Sequence, residues 1–282
     1  MSFNINNIGV NEINFNGNEV NSLYVNNTLV WERYGWVGWQ KATWSDIYDL
    51  CLAVRNTGMK WPSDIKTGIY KTVSLDNNFL GSVSKACYLV GIDVDGPGTL
   101  TFQTQVFSTT VQFSTDDKDS GYWGYGSSNL KTVINSFENY ASAINPYVIP
   151  LEKVYYSANK SYAGYTMRTT YSKGSVNCKY WAPSIDEMGH VAVSDYSHSP
   201  YNNSETENEF TVGVTSPYQY LTTPEGRKKV YGYWTRSIGE SPGTVNGWGL
   251  HVARVSEYGS IEAAAQNGSG HVSICFTIGY FE

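Results

Sequence analysis

Four histidines, His190, His198, His251 and His271, are the first candidates for catalysis or metal binding. None falls in an H-x-x-x-H or H-E-x-x-H spacing, so a zinc site would need ligands gathered from distant segments. Gly239-Glu240-Ser241-Pro242-Gly243 has the outline of a hydrolase elbow. An elbow needs a backbone N–H just after its serine to bind an oxyanion, and Pro242 has none. We read this stretch as a turn between strands. Asp93-Val94-Asp95-Gly96 and Asp116-Asp117-Lys118-Asp119 each resemble part of a calcium loop. Counted as an EF-hand, the first puts Pro97 at the fifth position and Thr104 where the bidentate glutamate belongs, and the second, counted from Asp117, puts Ser128 there. Asp116, Asp117 and Asp119 read as a solvated acidic turn, with an irregular Ca²⁺ site as the alternative. Cys51, Cys87, Cys178 and Cys275 lie far apart with no C-x-x-C, as expected of buried free thiols. With no local catalytic signature, an enzyme is not the expected function, and no cofactor is expected.

The stronger signal is aromatic. The chain holds 23 Tyr and 9 Trp, and its late loops combine them with Asn, Ser and Gly. Recognition loops use this set, because Tyr and Trp offer stiff contact area while the small polar residues adapt their hydrogen bonds. Candidate ligand-binding residues are Tyr196, Tyr201, Tyr218, Tyr220, Trp248 and His251, while Trp181 and Trp234 fit a core better. The segment 194–216 is long, polar and acidic, and so long a loop in a compact domain is more often functional than idle.

The elements that must position these residues follow from pattern. Thr43-Trp44-Ser45-Asp46 is a capping box, and Trp44, Ile47, Cys51 and Val54 then recur at helical spacing, which predicts a helix over 44–56. A second helix opens at Ser127-Ser128 and presents Leu130, Val133, Ile134 and Phe137 on one face. Ser184-Ile185-Asp186-Glu187 caps a single turn. Strands are expected at Tyr70–Leu75, Ala86–Asp93, Thr99–Phe107, Tyr231–Ile238, Gly249–Val255, Ser260–Ala265 and His271–Tyr280. The last alternates Val272, Ile274, Phe276 and Ile278 with smaller residues, as a strand with one buried face would. Ten of the first 27 residues are Asn, which sets off residues 1–33 as a small β-module of about three strands, too small to stand alone. The domain division is therefore 1–33 and 34–282, and the fold class is α+β.

With 282 residues the chain can bury a large core without disulfides. A net charge of −6 and the absence of long basic runs argue against nucleic acid as a partner. No run approaches 18 apolar residues, so no membrane insertion is expected, and the N-terminus lacks the form of a signal peptide.

Three stretches in register carry a resemblance. They are Val73–Phe107 with Tyr88-Leu89-Val90-Gly91-Ile92-Asp93; 126–149 with Ile144-Asn145-Pro146-Tyr147; and Lys179–Glu187 followed by Tyr233-Trp234-Thr235-Arg236-Ser237. Their order resembles a family of bacterial and phage domains related to the formylglycine-generating-enzyme variant of the C-type lectin fold. It would cover about residues 35–282. Residues 10–33 look like the β-modules that open many phage tail and capsid-appended proteins. The resemblance implies a virion-attached protein, of tail- or head-fibre type. It would dock on phage virion proteins through residues 1–33 and bind a bacterial surface glycan or protein through lectin-fold loops, as a homotrimer on the virion surface. A purely structural capsid or tail decoration protein is the first alternative, and an enzyme related to formylglycine generation the second. The paired C-terminal cysteines of those enzymes are missing, since only Cys275 lies there. The calcium motifs of sugar-binding C-type lectins are missing too.

Overall fold

The computed structural model describes residues 13–15, 18–20, 22–25, 28–32, 36–114, 121–163, 166–189, 217–240, 250–265 and 268–280. Two hairpins come first, β1 (Ile13–Phe15) with β2 (Asn18–Val20), and β3 (Ser22–Val25) with β4 (Thr28–Glu32). The expectation is about three strands; the described residues hold four short ones.

Helix α1 (Trp44–Thr57) begins at the predicted capping box. Thr43 Oγ1 accepts from the Asp46 N–H at 3.2 Å, and Asp46 Oδ2 accepts from the Thr43 N–H at 2.6 Å. It ends at Gly58, whose φ of +68° is the left-handed conformation that suits glycine after a helix. The buried face is Trp44, Ile47, Leu50, Cys51, Ala53 and Val54. Helix α2 (Asn129–Ser136) is capped by Ser128, buries Leu130 and Ile134, and continues as a 3₁₀ turn through Phe137–Tyr140.

Both helices contribute to one core with the central antiparallel sheet, of order β16-β7-β6-β5. Its strands are β5 (Tyr70–Phe79), β6 (Ser82–Ile92), β7 (Leu100–Thr104) and β16 (Cys275–Ile278). Phe102 and Phe276 are register partners on β7 and β16, stacked at 5.4 Å, and the edge of Trp44 meets both. Beyond β16 the sheet continues through a bridge between Cys275 and Trp181. A second buried layer holds Val90, Trp181, Met188, Tyr218, Tyr233, Val255 and Cys275, over which lies a sheet of order β12-β13-β14. Those strands are β12 (Tyr233–Glu240), β13 (Leu250–Val255) and β14 (Ile261–Ala265). Two more elements complete the pairing. β15 (Ser269–Gly270) joins β8 (Val111–Gln112), and a long hairpin of β10 (Leu151–Ala163) and β11 (Thr166–Cys178) carries β9 (Gly121–Gly124) on its edge.

The architecture is α+β, with few helices and curled antiparallel sheet. Two expectations change. The segment 271–280 was read as one strand with one buried face, but only Cys275–Ile278 is strand, and residues 272–279 are all buried. Thr104 explains the shorter strand: its side chain accepts from the Ile274 N–H at 2.9 Å, while Ser273 Oγ donates to its carbonyl at 2.7 Å. The two cores cover both faces. The hairpin at 151–178 matches no predicted element. All four cysteines are free and buried, as expected.

Phe102 is fully enclosed at the junction of Trp39, Trp44 and Phe276. Phe102→Ala is expected to cost about 3–5 kcal/mol, as cavity-forming aromatic truncations do. Urea unfolding followed by tryptophan fluorescence measures it.

Candidate functional site

Titratable side chains gather first in the interior. Asp95, in the turn after β6, places Oδ1 2.8 Å from the Lys153 ammonium on β10. Its Oδ2 receives the hydroxyls of Thr101 and Thr277 at 2.5 and 2.9 Å. Lys153 lies 3.3 Å from Glu187 Oε1, donates to the Tyr218 hydroxyl at 2.8 Å, and sits 4.1 Å from the centre of the Trp181 ring. Glu187 belongs to the predicted one-turn cap: its Oε2 accepts from the Ser184 N–H at 3.0 Å and from Arg236 Nη1 on β12 at 2.7 Å. The Arg236 guanidinium also donates to the carbonyls of Ala182 and Val154. Two cations thus meet two carboxylates with almost every polar atom engaged, which makes the burial of Lys153, Glu187 and Arg236 beside the partly buried Asp95 tolerable.

Burial alone would push the Glu187 carboxyl upward. The charges of Arg236 and Lys153, with hydrogen bonds from Arg236 and the Ser184 N–H, outweigh it and hold the group at about 2. Burial raises the Tyr218 phenol well above its ordinary value, and Glu187 and Asp95 add to the effect. Burial likewise keeps the Cys275 thiol protonated, with Glu187 contributing. Tyr218 donates to Glu187 Oε1 at 3.1 Å, and all three groups are closed to solvent. Their geometry suits holding segments together.

Solvent-facing chemistry lies on the β12-β13-β14 side. A groove of about 590 Å³ is lined by Tyr231, Arg254, Ser256, Tyr258, Glu262 and His271, among others. That volume is within the roughly 300–1,000 Å³ of small-molecule sites. Arg254 and Glu262 are cross-strand partners on β13 and β14. Among the described residues both contacts of the guanidinium, from Nε at 2.7 Å and from Nη2, fall on Glu262 Oε1. The turn between the strands is drawn tight by Ser256, whose N–H donates to the Ser260 carbonyl at 2.7 Å and whose hydroxyl accepts from the N–H groups of Tyr258 and Ser260. Gly259 there has φ +85°, and a Cβ would lie 2.1 Å from the Pro224 carbonyl oxygen, so only glycine fits. The turn leaves Tyr258 at its tip, 70% exposed. Across the groove, the Tyr231 ring stacks on His271 at 4.4 Å, and His271 Nδ1 lies 2.8 Å from the Phe107 carbonyl oxygen.

Of the residues predicted for the site, Tyr218, Tyr220 and His251 fall among the described residues. Tyr196, Tyr201 and Trp248 lie outside the described residues, as do Asp116, Asp117 and Asp119. Tyr218, expected on a recognition loop, is instead buried at 1% exposure, because its hydroxyl completes the internal charge cluster. Tyr220 is half-buried, its ring against Gly68. The backbone of His251 lies in β13, paired with Ala265 and Gly239. Asp93 and Asp95, rejected as a calcium loop, are fully engaged. Asp93 accepts from the Gly98 N–H and the Trp61 indole, both at 2.7 Å, and Asp95 from the cluster. Among the described residues no three His, Cys, Asp or Glu side chains are grouped to hold a metal, and no helix is long and apolar enough to cross a membrane. The groove residues Tyr231, Arg254, Tyr258, Glu262 and His271 were not singled out from sequence. Their one sequence signal is the Ser-Glu-Tyr-Gly-Ser turn between two predicted strands, which places Arg254 and Glu262 opposite each other.

No protein-family model, curated protein or solved structure matches this chain.

Two stability measurements test the interior. Glu187 has a folded-state value of about 2 against an ordinary 4.5, so its contribution is complete above 4.5 and disappears as pH falls towards 2. Glu187→Gln is expected to cost about 3–5 kcal/mol at pH 7 by leaving Arg236 and Lys153 underpaired, and to flatten the acid limb of the stability curve. Lys229 behaves oppositely. Burial brings it down to about 8 from 10.5, with its ammonium over the Tyr88 ring and no anionic partner among the described residues. The folded state bears that penalty below pH 8 and sheds it between 8 and 10.5. Lys229→Met should therefore raise stability at pH 7 by about 1–3 kcal/mol, measured by thermal and urea unfolding.

Proposed function

We propose that this chain is a binding protein displayed on a bacteriophage virion, on a fold related to C-type lectins. Residues 1–33 attach it to the particle, and the groove beside β13 and β14 faces a receptor on the bacterial surface. The observation that carries this reading is the pair of exposed tyrosines lining an open polar groove, Tyr231 stacked on His271 and Tyr258 at the tip of the tight 256–260 turn. Tyrosine is favoured at binding surfaces because its large, stiff ring brings area and a hydroxyl at low entropic cost. The interior favours binding over formylglycine-type chemistry, since Cys275 is fully enclosed and its thiol is held protonated. Assembly as a homotrimer belongs to the same proposal, and three copies acting together would strengthen a weak individual site.

The test is retention of the fluorescently labelled full chain on a panel of bacterial strains. At least one strain is expected to retain it, and the double variant Tyr231→Ala/Tyr258→Ala to lose at least about tenfold in retention, the equivalent of about 1.4 kcal/mol. A chain that no strain retains favours the decoration protein. Retention that the double variant leaves intact moves the binding surface elsewhere.

A further inference from the structure

Resting on the reading of the groove as a binding site, we propose that its ligand is a neutral glycan. The sugar would be seated on the Tyr258 ring, with vicinal hydroxyls held by Glu262 and Arg254.

Three properties of the groove select this class. The first is a platform. Tyr258 is 70% exposed and has no ring partner among the described residues, while Tyr231, 46% exposed, has one face on His271. A pyranose carries a face of C–H groups that packs on an aromatic ring, with its hydroxyls directed outward. The second is an open fork. Both contacts of the Arg254 guanidinium use Glu262 Oε1, so Glu262 Oε2 and Arg254 Nη1 have no partner among the described residues. A carboxylate oxygen accepts and a guanidinium N–H donates, and two adjacent sugar hydroxyls supply one donor and one acceptor in a matching spacing. Ser256 Oγ already accepts from two backbone N–H groups, which leaves its proton to donate to a ligand oxygen.

The third property is charge. The groove's ionised residues are Glu257, Glu262 and Arg254, two carboxylates against one guanidinium already neutralised by Glu262. A phosphate, sulfate or uronate would enter against a net negative lining on a chain of net charge −6. An apolar ligand would strip water from serines, threonines and charged groups without replacing their hydrogen bonds. A hydroxyl-rich, uncharged ligand satisfies both constraints. Rigidity supports the same conclusion. Gly270, which lines the groove, lies so close to the Trp234 indole that a Cβ would fall 2.7 Å from the ring, and Trp234 Nε1 is tied to the Val111 carbonyl at 2.9 Å. A preformed site loses little freedom on binding a weak ligand.

The experiment is isothermal titration of the full chain with cellobiose, maltotriose and the trimer of N-acetylglucosamine, and with 3′-sialyllactose as the acidic probe. At least one neutral probe is expected to bind with a dissociation constant on the order of 1 mM, more tightly than the acidic one. Tyr258→Ala and Glu262→Gln should each weaken it at least about tenfold. Because both side chains are at the surface, their variants should keep the parent melting temperature, which thermal unfolding verifies. Absence of binding by all three neutral probes overturns the proposal, as does binding that both variants leave unchanged or a preference for the acidic probe. Strain retention that depends on Tyr231 and Tyr258, without glycan binding, refutes the glycan while keeping the groove as a receptor site. Glycan binding without retention on any strain does the reverse.

Discussion

Three buried charges, Lys153, Glu187 and Arg236, and the partly buried Asp95 hold the molecule's second layer to its first. Asp95 comes from the turn after β6, Lys153 from β10, Glu187 from the 3₁₀ turn and Arg236 from β12, with Thr277 of β16 and Tyr218 closing the gaps. Six segments far apart in sequence are thereby brought to one place. Such a cluster is a weak source of net stability, because removing ions from water costs about what their attraction returns. Its effect is on which arrangement is allowed. Any packing that separates one member leaves a charge buried without a partner, and that cost falls on the misfolded alternative rather than the native one. The hydrophobic surfaces of the central sheet are less discriminating, since leucines, valines and phenylalanines tolerate several ways of being covered.

That constraint reaches the surface through β12. Arg236 is fixed from below, and the same strand carries Tyr233 and Trp234 into the two cores. β13 pairs with β12, and β14 with β13, so the Arg254–Glu262 pair and the turn bearing Tyr258 take their position from a strand anchored inside. Trp234 adds a second tie by donating to Val111 and lying against Gly270, which aligns β15 and His271 with the opposite wall of the groove. The groove is therefore a product of internal packing rather than of an independent loop.

What sequence made legible was local. The capping boxes at Thr43 and Ser184 predicted two helical starts, because cap chemistry involves residues three apart and nothing else. Helical spacing from Trp44 to Val54 identified the buried face of α1 for the same reason. Non-local features were harder. The hairpin 151–178 is rich in Lys, Asn, Ser, Thr and Tyr and lacks the alternation that marks a half-buried strand, so its pairing partner defines it more than its own pattern does. The strand at 275–278 showed alternation, but period two cannot tell one covered face from two. The charge cluster was invisible because no member stood out locally: Asp95 fitted an acidic turn, Glu187 a cap and Arg236 a strand, and Lys153 lay in a polar stretch with no predicted element. Of the tyrosines named for recognition, Tyr218 illustrates the ambiguity of the residue type, which serves equally as a surface platform and as a buried hydroxyl donor.

The distribution of side-chain chemistry in the described residues follows one physical division. The groups most capable of reactivity, the thiol of Cys275 and the phenol of Tyr218, lie inside, where burial stabilises their neutral forms. Tyrosines 231 and 258 lie outside, the first stacked on His271 and the second on a turn whose backbone is already fixed. Neutral buried nucleophiles and rigid exposed rings are opposite uses of the same constraint. A scaffold that spends its ionisable groups on internal register has fewer to place in a cleft, and its surface must then recognise through shape, stacking and neutral hydrogen bonds. The Arg254–Glu262 pair belongs to that surface chemistry: each charge screens the other, so what they present outward is directional donors and acceptors rather than a field.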